Sequence, residues 1–91
     1  MSIKTPNWYP EFLVEEKSYY GGIQKVYNFP NGYGASVIQH KGSYGFEKGQ
    51  WELAVLFMEE LCYTSPITHD VIGYLNEPQV DNLLEKIKQI D

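Results

Sequence analysis

The sequence predicts an α+β fold: a twisted antiparallel sheet of about four strands covered by a C-terminal amphipathic helix. Three observations predict it. Trp51, Leu53, Val55 and Phe57 alternate with Glu52, Ala54 and Leu56, an Asn31-Gly32 pair separates two β-rich runs, and an apolar stripe with helical spacing runs from Val80 to Ile90. The strands are expected near 23–29, 35–40, 51–57 and 61–64, and the helix over 77–90. Residues 1–10 read as an extended N-terminal arm and 11–91 as a single α+β domain.

In the arm, Pro6 and Pro10 flank Asn7-Trp8-Tyr9. Two prolines this close exclude a helix interior, because each removes an N–H donor and constrains its predecessor. Trp8 either packs on the domain or is offered to a partner. Phe12-Leu13-Val14 fits a short strand and a helical turn equally well. Ile23, Lys25, Tyr27 and Phe29 share one strand face. The Pro30-Asn31-Gly32 turn follows, where Asn-Gly tolerates positive φ and signals a hairpin. Ala35 to His40 returns, with Ala35 and Val37 facing opposite to Ser36 and Ile38.

A ten-residue loop, Lys41 to Gln50, carries three glycines and exceeds what a hairpin needs. The Trp51–Phe57 run is apolar on both faces, which predicts a central strand. Met58-Glu59-Glu60 makes a turn, and Leu61-Cys62-Tyr63-Thr64 a returning strand. Thr68 can N-cap a helical turn through Ile72 that Gly73 closes. The last helix has Asn76 as N-cap, Pro78 in the first turn and Gln79 at the capping-box position. Val80, Leu83, Leu84 and Ile87 then recur on one face, with Asp81, Glu85, Lys86 and Lys88 toward solvent.

Whole-chain quantities narrow the functional classes. The 91 residues carry twelve carboxylates and seven lysines but no arginine, for a net charge of −5. An acidic chain lacking the bidentate guanidinium argues against direct nucleic-acid binding through a cationic surface. A single cysteine, Cys62, excludes an internal disulfide and fits a reducing compartment. With no membrane-length apolar run and no apolar leader near Met1, a cytoplasmic location is expected.

Catalytic arrangements are not apparent. Cys62 with His40 or His69 lacks an orienting third group, and a strand cysteine between Leu61 and Tyr63 reads as a small hydrophobe. The two histidines and Cys62 lack the close spacing of zinc ligands. Glu15-Glu16 and Glu59-Glu60 are adjacent pairs, not a facing acid/base couple. Gly42-Ser43-Tyr44-Gly45 lacks the lysine-serine ending and following helix of a phosphate loop. The expectation is a non-enzymatic protein with no cofactor and no metal.

What remains is recognition. Tyrosine recurs beside glycine in Tyr19-Tyr20-Gly21-Gly22, Gly32-Tyr33-Gly34 and Ser43-Tyr44-Gly45. Tyrosine supplies a large amphipathic surface at low entropic cost, and glycine lets a backbone approach closely. Tyrosines at strand ends also pack for purely structural reasons. Tyr19, Tyr20, Tyr33 and Tyr44, with Phe46 and Glu47 of the long loop, are the candidate partner-binding residues.

Three strings, Gly32-Tyr33-Gly34-Ala35-Ser36-Val37, Trp51-Glu52-Leu53-Ala54-Val55-Leu56, and Leu61-Cys62-Tyr63 running through Pro66-Ile67-Thr68 to Asp70-Val71-Ile72-Gly73-Tyr74-Leu75, resemble a group of small uncharacterised phage and prophage proteins. The resemblance spans about residues 23–90 and implies no activity or catalytic residue. In that group the turn before the Leu-Cys-Tyr strand is polar and contains glycine. Here it is Phe57-Met58-Glu59-Glu60, an apolar pair that is a candidate local interaction surface. A phage context implies an anti-defence inhibitor, anti-CRISPR-like in kind, that binds a host bacterial protein directly. The alternatives are a protein that sequesters a small nucleotide signal and a phage structural or assembly component. A homodimer is compatible with all three.

Overall fold

The structure, a computed structural model, describes residues 8–40, 46–58, 60–61 and 71–90. Strands β1 (Leu13–Tyr19), β2 (Gly22–Asn28), β3 (Tyr33–Gln39) and β4 (Trp51–Phe57) pair in sequence order, each antiparallel to the next. The far edge of β4 is shared by two short strands. β5 (Glu60–Leu61) pairs with its end, and β6 (Ile72–Leu75) with its beginning. Helix α1 (Glu77–Lys88) lies across β3 and β4.

The expected α+β architecture is present, with three differences in its parts. Of Phe12-Leu13-Val14, Phe12 ends a 3-10 turn and Leu13 and Val14 open β1, a strand absent from the four expected. Its alternation is weak because it is an edge strand, exposed along most of its length. The helical turn expected over 68–72 does not include Ile72, since Ile72–Leu75 is strand; Thr68–Asp70 lie outside the described residues. Pairing with the open edge of β4 satisfies backbone groups that a short helical turn would leave to solvent. The returning strand begins at Glu60, a residue expected in the turn; Cys62–Thr64 lie outside the described residues.

The faces of β2, β3 and β4 fall as their alternation requires. Lys25, Tyr27, Phe29, Ala35, Val37, Trp51, Leu53 and Val55 are buried on the inner face. Val80, Leu84 and Ile87 of α1 close over them and are fully buried. On the opposite face Ser36, Ile38, Glu52, Ala54 and Leu56 are only half-buried. Among the described residues no helix covers this second face of β4, and β4 is interior because strands flank it on both sides.

Both ends of α1 are tied. At its start Asn76 and Gln79 form a capping box, with the Gln79 N–H donating to Asn76 Oδ1 at 2.9 Å and the Asn76 N–H to Gln79 Oε1 at 2.8 Å. At its end the Asn31 carboxamide donates to the carbonyls of Ile87 (2.9 Å), Lys88 (3.1 Å) and Ile90 (2.9 Å). The β2–β3 connection makes this reach possible. It is a three-residue loop in which Gly32 donates to the Phe29 carbonyl at 3.1 Å and Phe29 donates to the Tyr33 carbonyl at 2.8 Å. Only Gly32, at φ 88°, is left-handed there, as in a type I turn closed by a bulge. The expected Asn-Gly hairpin thus forms, but Asn31 serves the helix.

Trp8 packs inside, edge-on to Trp51 with ring centres 5.1 Å apart. Pro10–Phe12 follow as a 3-10 turn whose last ring meets Phe29 at 5.3 Å. Tyr9 reaches α1, its hydroxyl donating to Glu85 Oε2 at 2.6 Å. Across β1 and β2 the buried Lys25 ammonium pairs with the Glu16 carboxylate, which is its register partner. The ion pair fastens the edge strand to the sheet.

These contacts are open to test by pH and by substitution. The Tyr9 bond holds the Glu85 carboxyl below its ordinary 4.5, and that bond, then burial, pushes the Tyr9 hydroxyl up to about 12. A lowered carboxyl stabilises the fold above its ordinary value and loses that contribution as pH falls through the folded value; a raised hydroxyl loses its contribution as pH rises from 10 toward about 12. In Tyr9→Phe, urea unfolding across a pH series should show a shallower loss of stability below pH 4.5 than in the wild type. A parallel acid limb would show that the bond is not formed.

The Tyr27 hydroxyl is buried with no hydrogen-bond partner among the described residues. Burial first, then the charge of Glu16, pushes it up to about 12. Removing an unpaired buried donor relieves a desolvation cost, so Tyr27→Phe should be more stable by about 1 kcal/mol in urea unfolding.

Candidate functional site

The β1–β2 connection is a two-residue turn, because Tyr19 pairs with Gly22 and leaves only Tyr20 and Gly21 between them. Both have left-handed backbones, at φ 42° and 79°, as a type I′ hairpin requires. Gly21 adopts this freely. Tyr20 does not, since a Cβ in the left-handed region costs about 1–2 kcal/mol. Asparagine, aspartate or glycine ordinarily takes that position.

The strained tyrosine is also displayed. Tyr20 is 75% exposed at the tip of the sheet. Its ring meets Tyr19 edge-on at 4.7 Å and His40 at 5.9 Å, and Tyr19 in turn meets His40 at 4.9 Å. Three rings from two strand ends thus make one cluster. Its base is tight: a Cβ on Gly22 would lie 1.7 Å from the Gln39 carbonyl oxygen, so β2 passes β3 closely only because that residue is glycine.

The descending limb of the long loop is fastened to the same end. Gln39 Nε2 donates to the carbonyl of Gly49 at 2.7 Å. Before it, Phe46–Lys48 form a 3-10 turn with Glu47 exposed. Tyr44 lies outside the described residues. Of the six residues singled out from the sequence, Tyr19, Tyr20, Phe46 and Glu47 therefore sit on segments joined through β3 at one end of the sheet. Tyr33 does not belong with them. It pairs with Phe57 at the other end, its ring 4.7 Å from the Phe57 ring, and its N–H donates to Asn31 Oδ1 at 2.9 Å.

That other end has its own exposed apolar pair. Phe57 is partly exposed and Met58 is 67% exposed at φ 53°, with the Met58 N–H donating to the Gly32 carbonyl at 2.9 Å. Tyr74 in β6 is a further exposed ring at positive φ, 59°. Sequence reasoning singles out the Phe57-Met58 pair but not Tyr74. A tyrosine after glycine carries no signal of its φ, which the pairing of β6 with β4 imposes.

Other chemistry is sparse among the described residues. No three His, Cys, Asp or Glu side chains come close enough to hold a metal ion. Cys62 and His69 lie outside the described residues. Glu15 and Glu16 point to opposite faces, one 3.9 Å from Lys17 and the other paired with Lys25. No helix among the described residues is long and apolar enough to cross a membrane. On the open face of the sheet, Val14, Val26 and Leu56 border a groove of about 200 Å³ over Gly34. Comparison with family models, with curated proteins and with solved structures gives no match to this chain.

The strain at Tyr20 is directly testable. The exposed contacts with Tyr19 and His40 together return roughly 0.5–1 kcal/mol, against about 1–2 kcal/mol for the left-handed backbone. Tyr20→Asn, which suits the first position of a type I′ turn, should therefore raise stability by roughly 1 kcal/mol in urea unfolding. A lower stability would show that the three-ring contact outweighs the strain.

Proposed function

We propose that this chain is a non-enzymatic binding protein, a phage-type inhibitor that docks on a bacterial host protein through the Tyr19–Tyr20 hairpin tip and the adjoining 46–48 turn. The observation that carries the reading is Tyr20: 75% exposed, and held at φ 42°, a region that glycine and asparagine enter more readily. Backbone strain at a displayed residue is retained where it serves recognition, and a rigid tyrosine held by neighbouring rings loses little entropy on binding. Glu47 supplies an exposed carboxylate on the same side, suited to a basic partner. The phage context rests on the sequence resemblance alone. It is associational support for an anti-defence role.

The ligand-sequestering alternative has less support. The groove over Gly34, at about 200 Å³, is smaller than the roughly 300 Å³ of ordinary small-molecule sites, and a larger one of about 360 Å³ beside the β2–β3 turn, bordered by Phe29, Pro30 and Met58, is more open to solvent. Among the described residues neither border carries a cationic side chain for a phosphate, and the first includes the Glu15 carboxylate.

The test uses Tyr20→Asn, since a more stable variant separates recognition from folding. Wild-type and variant chains are immobilised, exposed to the same bacterial lysate, and the affinity of each retained protein is measured. A true partner should bind the variant at least roughly tenfold more weakly, as expected for an aromatic anchor at an interface centre. A partner that binds both equally places recognition elsewhere and ends this reading of the hairpin tip.

A further inference from the structure

We propose that Asn31 is a modification site, a carboxamide whose spontaneous deamidation irreversibly undocks the C-terminus of α1. Asn31-Gly32 is the only Asn-Gly pair in the chain. In such a pair nothing on the following residue shields its backbone nitrogen. The Gly32 nitrogen can attack Asn31 Cγ, forming a C–N bond and losing its proton while Nδ2 departs as ammonia. Water then opens the succinimide at either carbonyl, leaving aspartate or isoaspartate. No oxidant or reductant is needed.

The fold restrains both reacting groups. The Gly32 nitrogen donates to the Phe29 carbonyl at 3.1 Å. Asn31 Nδ2 donates to the Ile87, Lys88 and Ile90 carbonyls, and Oδ1 accepts the Tyr33 N–H. Attack requires these bonds to break, so the reaction proceeds from molecules in which the turn has opened.

The product cannot remake the three bonds to the helix carbonyls. A carboxylate only accepts hydrogen bonds, and here it would face three carbonyl oxygens. It would also add negative charge at the negative end of the helix dipole. Isoaspartate would further lengthen the backbone inside a turn whose geometry depends on Gly32 at φ 88°. Opening followed by deamidation is therefore a one-way step. This inference is independent of the proposed partner.

Two measurements test it. Peptide mapping by mass spectrometry follows the conversion of Asn31 in the wild-type chain, incubated at mildly alkaline pH with and without denaturing urea. Conversion should be at least roughly tenfold slower in the folded chain, where reaction tracks the opened population. Thermal melting then compares wild type, Asn31→Ala and Asn31→Asp. The melting temperature should fall in that order, since alanine only loses donors whereas aspartate adds repulsion. The gap between the two variants should narrow below about pH 4, where the aspartate protonates and regains a donor. Equal conversion rates in folded and unfolded chains would overturn the proposal. So would an Asn31→Asp chain that melts with or above Asn31→Ala at neutral pH. If neither variant folds, the wild-type conversion rates decide.

Discussion

One side chain, Asn31, fastens the end of α1 to the turn between β2 and β3. Its amide nitrogen serves three carbonyls at the end of α1, and its oxygen holds the first N–H of β3. Helix ends otherwise leave their last carbonyls to solvent or to a glycine cap. Here the turn of a hairpin takes that role, so the register of β2 against β3 and the position of the helix are coupled. Val80, Leu84 and Ile87 can be fully buried against the inner face of the sheet because the helix is tied at both ends.

The inner face of the sheet is not uniform. It is closed by α1 over β3 and β4 and by Trp8 against Trp51. Toward the edge strand it contains less apolar material and uses Lys25 with Glu16 instead. A buried ion pair adds little net stability compared with well-packed hydrophobic residues, but losing one partner is costly. That asymmetry suits a strand such as β1, whose own residues are largely exposed and whose place in the sheet must be specified by something other than burial.

The described surface comprises the two ends of the sheet and the face opposite α1. Strained, exposed residues occur at both ends: Tyr20 at one, Met58 at the other, with Tyr74 on β6. Each gives up local stability to display a large side chain. At the Tyr20 end the display is organised, since Tyr19 and His40 hold the ring from two strands. The fold thus separates a face committed to the core from a tip whose exposed ring is held by its neighbours.

Several features were legible in the amino-acid order because their causes lie within a few residues. The helix stripe, its capping box and the alternating faces of β2, β3 and β4 are local patterns, and the structure contains them. The Tyr-Gly doublet at 19–22 marked a displayed segment for the same reason. Other features depended on residues far apart in the chain. Asn31 finds carbonyls 56 to 59 positions away, and Ile72–Leu75 become strand only because β4 has an open edge. Tyr33 parts from Tyr19 and Tyr20 once antiparallel pairing sends their strand ends to opposite sides. Local periodicity determined which elements form and which faces they bury. Tertiary contact decided which loops meet and which backbone is strained, because those outcomes depend on partners that no local window contains.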